Sequence, residues 1–163
     1  MIRRDSLKRQ TSSRPPRPIL WAYCEGKLTE LSYFSQVKRD LRLANFEVKH
    51  AKGNPLDIVK YAIADPARPP EKERHPRDQM WCVFDVEAPT PHPGLTEALR
   101  LAAGYGIQCA VSNPCFEIWP ILHLRDFRAY LTSKQASELL ADLHPSYSAR
   151  KKDIAYAALK PHY

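Results

Sequence analysis

The chain has 163 residues, which is the length of one typical domain and leaves no room for a second full domain. Lys and Arg number 25 against 18 Asp and Glu, and the net charge of +7 suggests an acidic partner. The longest uninterrupted apolar run, Ile19 to Cys24, has six residues, whereas a helix that spans a bilayer needs about 20. We therefore expect no transmembrane helix, no secretory signal and no membrane partner, and we expect a cytoplasmic protein.

The positive charge is concentrated at the two ends of the chain. Residues 1–18 hold six basic residues and one acidic residue, residues 149–163 carry a surplus of three, and residues 19–148 are nearly neutral. Because residues 1–18 contain few apolar side chains, we predict a disordered basic arm there and a single domain over 19–163. The candidate nucleic-acid-binding residues in these ends are Arg3, Arg4, Lys8, Arg9, Arg150, Lys151 and Lys152. Such charge runs track phosphates in some proteins and merely maintain solubility in others.

Short apolar runs alternate with helical periodicity along the chain. Strands are predicted at 19–24, 46–49, 80–84 and 107–111, and helices at about 29–41, 55–63, 95–103, 115–124, 133–144 and 148–159. The first helix has Thr29 as its predicted N-cap and an apolar stripe formed by Leu31, Phe34, Val37 and Leu41. The proline-rich segment 65–78 is predicted to be an exposed loop.

This alternation predicts an α/β fold. Its centre is a mostly parallel sheet of about four strands with helices on both faces, and C-terminal helices follow from about residue 125. Four cysteines, Cys24, Cys82, Cys109 and Cys115, form no CxxC pair. Three of them lie in predicted strands, so we expect free, buried thiols rather than a zinc site or disulfides.

Acidic residues follow two of the predicted strands directly. Glu25 comes after the first strand, and Asp85 and Glu87 come after the third. Because ligands of parallel sheets gather at the carboxyl ends of the strands, these carboxylates are candidate ligands of Mg²⁺ or Mn²⁺. Such an ion can polarise a phosphoryl oxygen and activate water for phosphodiester hydrolysis. The alternative is that these acids are ordinary solvated loop residues or helix caps.

Several segments together resemble the RloB-like proteins. They are CEGKLTELSYF (24–34), GNPL (53–56), MWCVFDVE (80–87) and SNPCFEIW (112–119), followed by His123. The RloB-like proteins are encoded near restriction-modification and other bacterial defence genes, and they resemble the Toprim (topoisomerase-primase) domain. The resemblance therefore implies a Toprim-like, Rossmann-like fold.

The resemblance also implies roles for the acidic residues. Glu25 matches the Toprim glutamate, which serves as a metal ligand or general acid/base, and Asp85 matches a metal-binding Asp. Glu87 stands where a second Asp is usual, and its longer side chain changes the geometry that Mg²⁺ would meet. The predicted metal ligands are thus Glu25, Asp85 and Glu87.

Further residues near these segments have both functional and structural interpretations. Lys27 is a candidate catalytic residue that could bind a phosphate, or an exposed turn lysine. Glu117 is a candidate catalytic carboxylate, or a capping or buried acid. Supporting roles beside the metal ligands are predicted for Glu30, Ser112 and Asn113; helix capping would explain the first and turn formation the other two.

Two function classes follow from these observations. The first is a divalent-metal-dependent nuclease or related phosphodiester-processing enzyme of a bacterial defence system. The second is an accessory module that binds nucleic acid or protein, with a degenerate metal site and no catalysis of its own. Nucleic acid is the expected partner in the first class. A defence-system protein and a second copy of the chain are further candidate partners.

Overall fold

A computed structural model describes residues 17–86, 90–144, 146–148 and 154–159. Its strands are β1 (Leu20–Cys24), β2 (Phe46–His50), β3 (Gln79–Asp85) and β4 (Gln108–Ser112). Its α-helices are α1 (Thr29–Asp40), α2 (Pro55–Ala64), α3 (Leu95–Gly104), α4 (Ile118–Leu124) and α5 (Ser133–Leu143). Short 3₁₀ helices occupy Glu71–Glu73 and Tyr156–Ala158. The α/β fold predicted from the sequence is confirmed.

The four strands form one parallel sheet in the order β2-β1-β3-β4. The two most apolar strands, β1 and β3, are central neighbours, as buried parallel strands should be. The chain leaves β1 in one direction towards β2 and later returns past β1 to form β3 and β4. Right-handed connections then require α1 on one face and α2 and α3 on the other.

Helices cover both faces of the sheet, and each face has its own core. The α2–α3 face buries Trp21, Tyr23, Cys82 and Phe84 of β1 and β3 together with Ile58, Val59, Ala98 and Ala102 of the two helices. The opposite α1–α4 face joins Ala22, Cys24 and Val83 to a cluster that includes Tyr33, Phe116, Ile121 and Leu140. Because successive side chains of β1 and β3 point to opposite faces of the sheet, these strands contribute residues to two separate clusters.

Side-chain caps fix the start of two helices. At α2, Asn54 accepts from the backbone N–H of Asp57 and the Asp57 side chain accepts from the N–H of Asn54, each at 3.1 Å. Gly53 before this cap has φ of 123°, a conformation that favours glycine. The turn before α2 is therefore determined by local residues, Gly53 and the Asn54 cap. Thr132 and Gln135 form the same reciprocal cap at α5.

Two details of the predicted first helix are wrong. Thr29 is not the N-cap, because Leu28 precedes the helix and provides no side-chain cap. Leu41 is 53% exposed, and the most buried side chains of α1 are Thr29, Glu30 and Tyr33. Phe34 and Val37 of the predicted stripe do pack against the core, so the inward face of α1 is broader than the stripe and includes these partly polar positions.

Two other local predictions also need correction. The segment 65–78 is not uniformly exposed, because Asp65 is buried and residues 71–73 form a 3₁₀ helix. The α-helix predicted at 148–159 is absent from its described residues, 148 and 154–159, which contain only the 3₁₀ helix Tyr156–Ala158. By contrast, all four cysteines are free, as predicted; three are buried and Cys109 is partly exposed. None of the described helices is long and apolar enough to cross a membrane.

Candidate active site: a carboxylate cleft at the sheet edge

The strand order has a topological switch point between β1 and β3. From this point the chain continues to one side through β2 and to the other through β4, so the loops after β1 and β3 diverge and leave a crevice. Glu25 follows β1 and Asp85 ends β3, so both lie at this crevice. The backbone N–H of Asp85 donates to Glu25 Oε2 at 3.0 Å. The expectation that these two residues are spatial neighbours is correct.

A cleft of about 310 Å³ opens at this edge, and we call it the carboxylate cleft. It contains four acidic side chains, because Glu30 and Glu117 join Glu25 and Asp85. The remaining lining residues are Gly26, Lys27, Leu28, Thr29 and Phe116. The cleft therefore brings together acids that are up to 92 positions apart in the sequence, between Glu25 and Glu117.

Asp85 is the least compensated of the four acids. Its Oδ1 atom is buried and has no hydrogen-bond partner among the described residues. Burial, reinforced by the charges of Glu30, Glu25 and Glu117, raises the pKa of Asp85 to about 8, although the backbone N–H of Phe116 acts in the opposite direction. A cation bound here would offset both the burial and the like-charge repulsion that raise this pKa.

Glu30 lies deeper than its position in the first turn of α1 suggests. It is buried and accepts a hydrogen bond from the backbone N–H of Gly26 at 2.9 Å. A methyl group at Gly26 would lie 1.6 Å from Glu30 Oε2, so only glycine leaves room for this carboxylate. Burial raises the pKa of Glu30, and Glu117 and Glu25 add to the effect against two opposing backbone hydrogen bonds. Helix capping alone does not account for this side chain.

Glu117 is buried immediately before α4 and is held by two hydroxyl groups. Tyr147 donates to Glu117 Oε1 at 3.0 Å, and Thr29 donates to the same oxygen at 3.4 Å. The Thr29 side chain that was predicted to cap α1 therefore contacts Glu117 instead. This carboxylate is fixed in orientation at the cleft wall.

The other predicted site residues that the structure describes, Lys27, Ser112 and Asn113, lie at the edge of the cleft or outside its lining. Lys27 is exposed at the cleft, so both its phosphate-binding and its solvated interpretation stay open. Ser112 is buried, and its hydroxyl accepts from the indole N–H of Trp119 at 3.0 Å. Its backbone carbonyl accepts from the N–H of Val86 at 2.8 Å, which ties together the loops after β3 and β4. Asn113 is exposed and precedes a cis proline bond.

Two residues near the carboxylates were not singled out as site residues from the sequence. His92 Nε2 lies 3.5 Å from Glu25 Oε1, in the loop that follows β3. Its position after a central strand was a usable signal, since that loop had to return past the carboxyl edge of the sheet. Tyr147 donates to Glu117, and no local sequence pattern indicates this hydrogen bond.

Several predicted site residues lie outside the described residues. They are the metal ligand Glu87 and the basic residues Arg3, Arg4, Lys8, Arg9, Arg150, Lys151 and Lys152. The predicted arm 1–18 is described only at Arg17 and Pro18, which are exposed. These predictions therefore stay predictions.

The residues of the cleft fit a magnesium or manganese site in chemistry but do not form a ready-made cage. Within the described parts of the chain, no group of three or more His, Cys, Asp or Glu is arranged to hold a metal ion. Mg²⁺ commonly takes one or two carboxylates and completes its shell with waters and substrate phosphates. The unsatisfied Oδ1 of Asp85, with Glu25 beside it, provides the hard oxygen ligands of such a site.

Comparison with known proteins identifies the family. Neither a search of curated proteins nor a search of solved structures gave a match. The family model described as RloB-like protein matches residues 21–162, which is nearly the whole chain. The chain therefore belongs to the RloB-like family.

Proposed function

We propose that this protein is a divalent-metal-dependent nuclease, or a related phosphodiester-processing enzyme, of a bacterial defence system, with a Toprim-like domain and Mg²⁺ or Mn²⁺ as its cofactor. One observation carries the proposal. The Asp85 Oδ1 atom is buried without a hydrogen-bond partner in the described chain, at a cleft with three further carboxylates. A cation is the partner that would best compensate such a group.

The residues of the cleft divide into proposed roles. Asp85 and Glu25 hold the metal ion, with Glu87 as the third predicted ligand. Glu117, oriented by Tyr147 and Thr29, is placed to exchange a proton at the cleft wall, and Lys27 neutralises a substrate phosphate at the rim. A bound divalent ion supplies polarisation of a phosphoryl oxygen and a water of lowered pKa.

A cleavage assay tests this proposal. Labelled single- and double-stranded RNA and DNA are incubated with the wild type and with Asp85→Asn in Mg²⁺ or Mn²⁺. We expect cleavage by the wild type and at least a 100-fold lower rate for Asp85→Asn, because removing a metal-ligand charge removes transition-state stabilisation worth about 3 kcal/mol or more. Glu97→Gln is the matched control, since Glu97 is exposed on α3. Equal, metal-dependent rates for Asp85→Asn and wild type would contradict the proposal.

A second candidate function is that of a binding module without catalysis. It is favoured by the hydrogen bonds that Glu25, Glu30 and Glu117 already accept from the protein. In this case the basic ends would bind the polyanion and a partner protein would supply catalysis. Salt-dependent nucleic acid binding that is lost on deletion of residues 1–18, with no cleavage in any metal, would support this candidate over the first.

Partners and location are proposed on the same basis. Nucleic acid is the proposed partner of the cleft, with Arg3, Arg4, Lys8, Arg9, Arg150, Lys151 and Lys152 as additional phosphate contacts. A protein of the same defence system and a second copy of this chain are further proposed partners. The proposed location is the cytoplasm, where such substrates occur.

A further inference from the structure

The α1–α4 face of the sheet is not fully covered. A cavity of about 280 Å³ lies between α1 and α4, and we call it the aromatic cavity. Its walls carry six large aromatic side chains: Tyr33, Phe34, Phe46, Trp81, Phe116 and Trp119. The indole of Trp119 is 42% exposed at its margin, and Trp81 is partly exposed. An open cavity with this lining suits a flat aromatic group.

The aromatic cavity adjoins the carboxylate cleft. Phe116 lines both of them. Trp119 at the cavity margin donates to Ser112, and Ser112 lies opposite Asp85 in the register of β3 and β4. If one group of a ligand occupied the aromatic cavity, an adjoining group of the same ligand would therefore lie at the carboxylate cleft.

The other end of the aromatic cavity meets a basic cleft. Leu20 and Phe46 line the cavity and also a cleft of about 300 Å³ that contains Arg17 and Arg42. Both arginines are exposed, and neither forms an ion pair with any acid in the described parts of the chain. Leu20 of this basic cleft and Glu25 of the carboxylate cleft are five residues apart along β1, which is roughly 16 Å at the usual rise of a strand.

We propose that the α1–α4 face binds single-stranded nucleic acid along this path. A base enters the aromatic cavity, the backbone on one side contacts Arg17 and Arg42, and the backbone on the other side reaches the carboxylate cleft. Aromatic stacking combined with a positively charged track is how single strands are bound without sequence readout. A duplex cannot use this path, because its bases are stacked on each other and paired. Only the assignment of the reacting phosphate to the carboxylate cleft rests on the proposed function.

Charge favours nucleic acid over a protein occupant. The aromatic cavity shares lining residues with the basic cleft of Arg17 and Arg42 and with the carboxylate cleft, so the two arginines and a cation bound at the carboxylates would both attract phosphates. A second copy of the chain bound to the same face would instead place its own exposed arginines near Arg17 and Arg42, and the like charges would repel each other. Self-association through the same face is therefore the competing outcome of the test.

The test is fluorescence anisotropy with labelled 12-nucleotide strands of thymidine and of uridine, and with a duplex. All are measured in Ca²⁺ instead of Mg²⁺ or Mn²⁺, so that a cation can offset the carboxylates while binding is separated from cleavage. We expect the single strands to bind at least tenfold more tightly than the duplex. Trp119→Ala should weaken single-strand binding about 5- to 100-fold, the range expected for loss of one stacked base. Tyr105→Ala is the matched control, because Tyr105 is exposed beyond α3, away from the path.

A second variant, Arg42→Asn, tests the path without altering the lining of the aromatic cavity. Arg42 has φ of 52°, a conformation that asparagine tolerates well, so Arg42→Asn removes the charge without new strain. This variant should bind single strands several-fold more weakly. The slope of the logarithm of the binding constant against the logarithm of salt concentration should fall by about one, the contribution of one phosphate contact. Arg100→Asn on α3 is the control.

Two results would overturn the inference. One is equal affinity for single strands and duplex, with Trp119→Ala no weaker than Tyr105→Ala. The other is absence of oligonucleotide binding together with self-association in sedimentation velocity that Trp119→Ala abolishes. Single-strand binding that needs Trp119 but gives no cleavage in any metal would refute the proposed function alone. Cleavage that is unaffected by Trp119→Ala and Arg42→Asn would refute this inference alone.

Discussion

The two faces of the sheet are closed to different degrees. On the α2–α3 face, Tyr23 and Phe84 are completely buried against the helices. On the α1–α4 face, Trp81 and Trp119 remain partly exposed around an open cavity. The same sheet thus has one face that is packed for stability and one that keeps apolar surface accessible. The candidate site belongs to the second face and its carboxyl edge.

Each side of this comparison also has an aspartate at its margin: Asp65 is buried, and Asp85 is partly buried with its Oδ1 atom inaccessible. Burial by itself would raise the pKa of Asp65, but hydrogen bonds from Lys49, the Ala67 backbone and Tyr23 lower it below its ordinary value. The Tyr23 hydroxyl donates to Asp65 at 2.9 Å, and the Ala67 N–H donates at 3.0 Å. Asp85 has burial and like charges but no such set of partners, and its pKa is raised. A fully paired acid serves the fold, whereas an underpaired acid indicates a ligand site.

The largest expected difference between the two faces is the loss of stability when a large side chain is truncated to alanine. Ile58→Ala removes a fully buried side chain from the α2–α3 face and should lower the free energy of unfolding by about 2–5 kcal/mol. Trp119→Ala on the other face should lower it by about 1 kcal/mol or less, because its indole is already partly solvated. Urea denaturation followed by circular dichroism measures both. Equal losses would show that the α1–α4 face is packed as tightly as its opposite.

The two aspartates should respond oppositely to neutralisation. Asp65→Asn should destabilise the metal-free protein by about 1–3 kcal/mol at pH 7, because it weakens the bond to Lys49. The folded pKa of Asp65 is lowered, so its contribution is present above the unfolded pKa and is lost as the pH falls through the folded value.

For Asp85→Asn we expect stabilisation at pH 8, with an upper bound of about 5 kcal/mol set by the difference between the folded and unfolded pKa, and little change near pH 4. The folded pKa of about 8 exceeds the unfolded value of 3.8, so the wild type loses stability as the pH rises between them and the neutral asparagine does not. Thermal denaturation of both variants across pH 4–9 in EDTA checks the signs. Destabilisation by Asp85→Asn at pH 8 would mean that this carboxylate is compensated after all.

The sequence predicted those features that depend on local patterns and on general rules of sheet topology. Apolar runs locate all four strands, and the rule that ligands gather at strand ends correctly places Glu25 and Asp85 at the same edge of the sheet. The burial of Glu30 was missed, since it depends on the packing of α1 against the loop after β1. The contact of Tyr147 with Glu117 joins residues 30 positions apart across separate elements, and periodicity carries no information about such pairs.

The most direct test of the central claim is isothermal titration calorimetry with Mg²⁺ or Mn²⁺ after removal of metal by EDTA. We predict that the wild type binds the ion and that Glu25→Gln and Asp85→Asn each weaken binding at least tenfold, since each removes a ligand charge. Glu97→Gln should bind as the wild type does. If both cleft variants retain the affinity of the wild type, the carboxylate cleft is not the metal site.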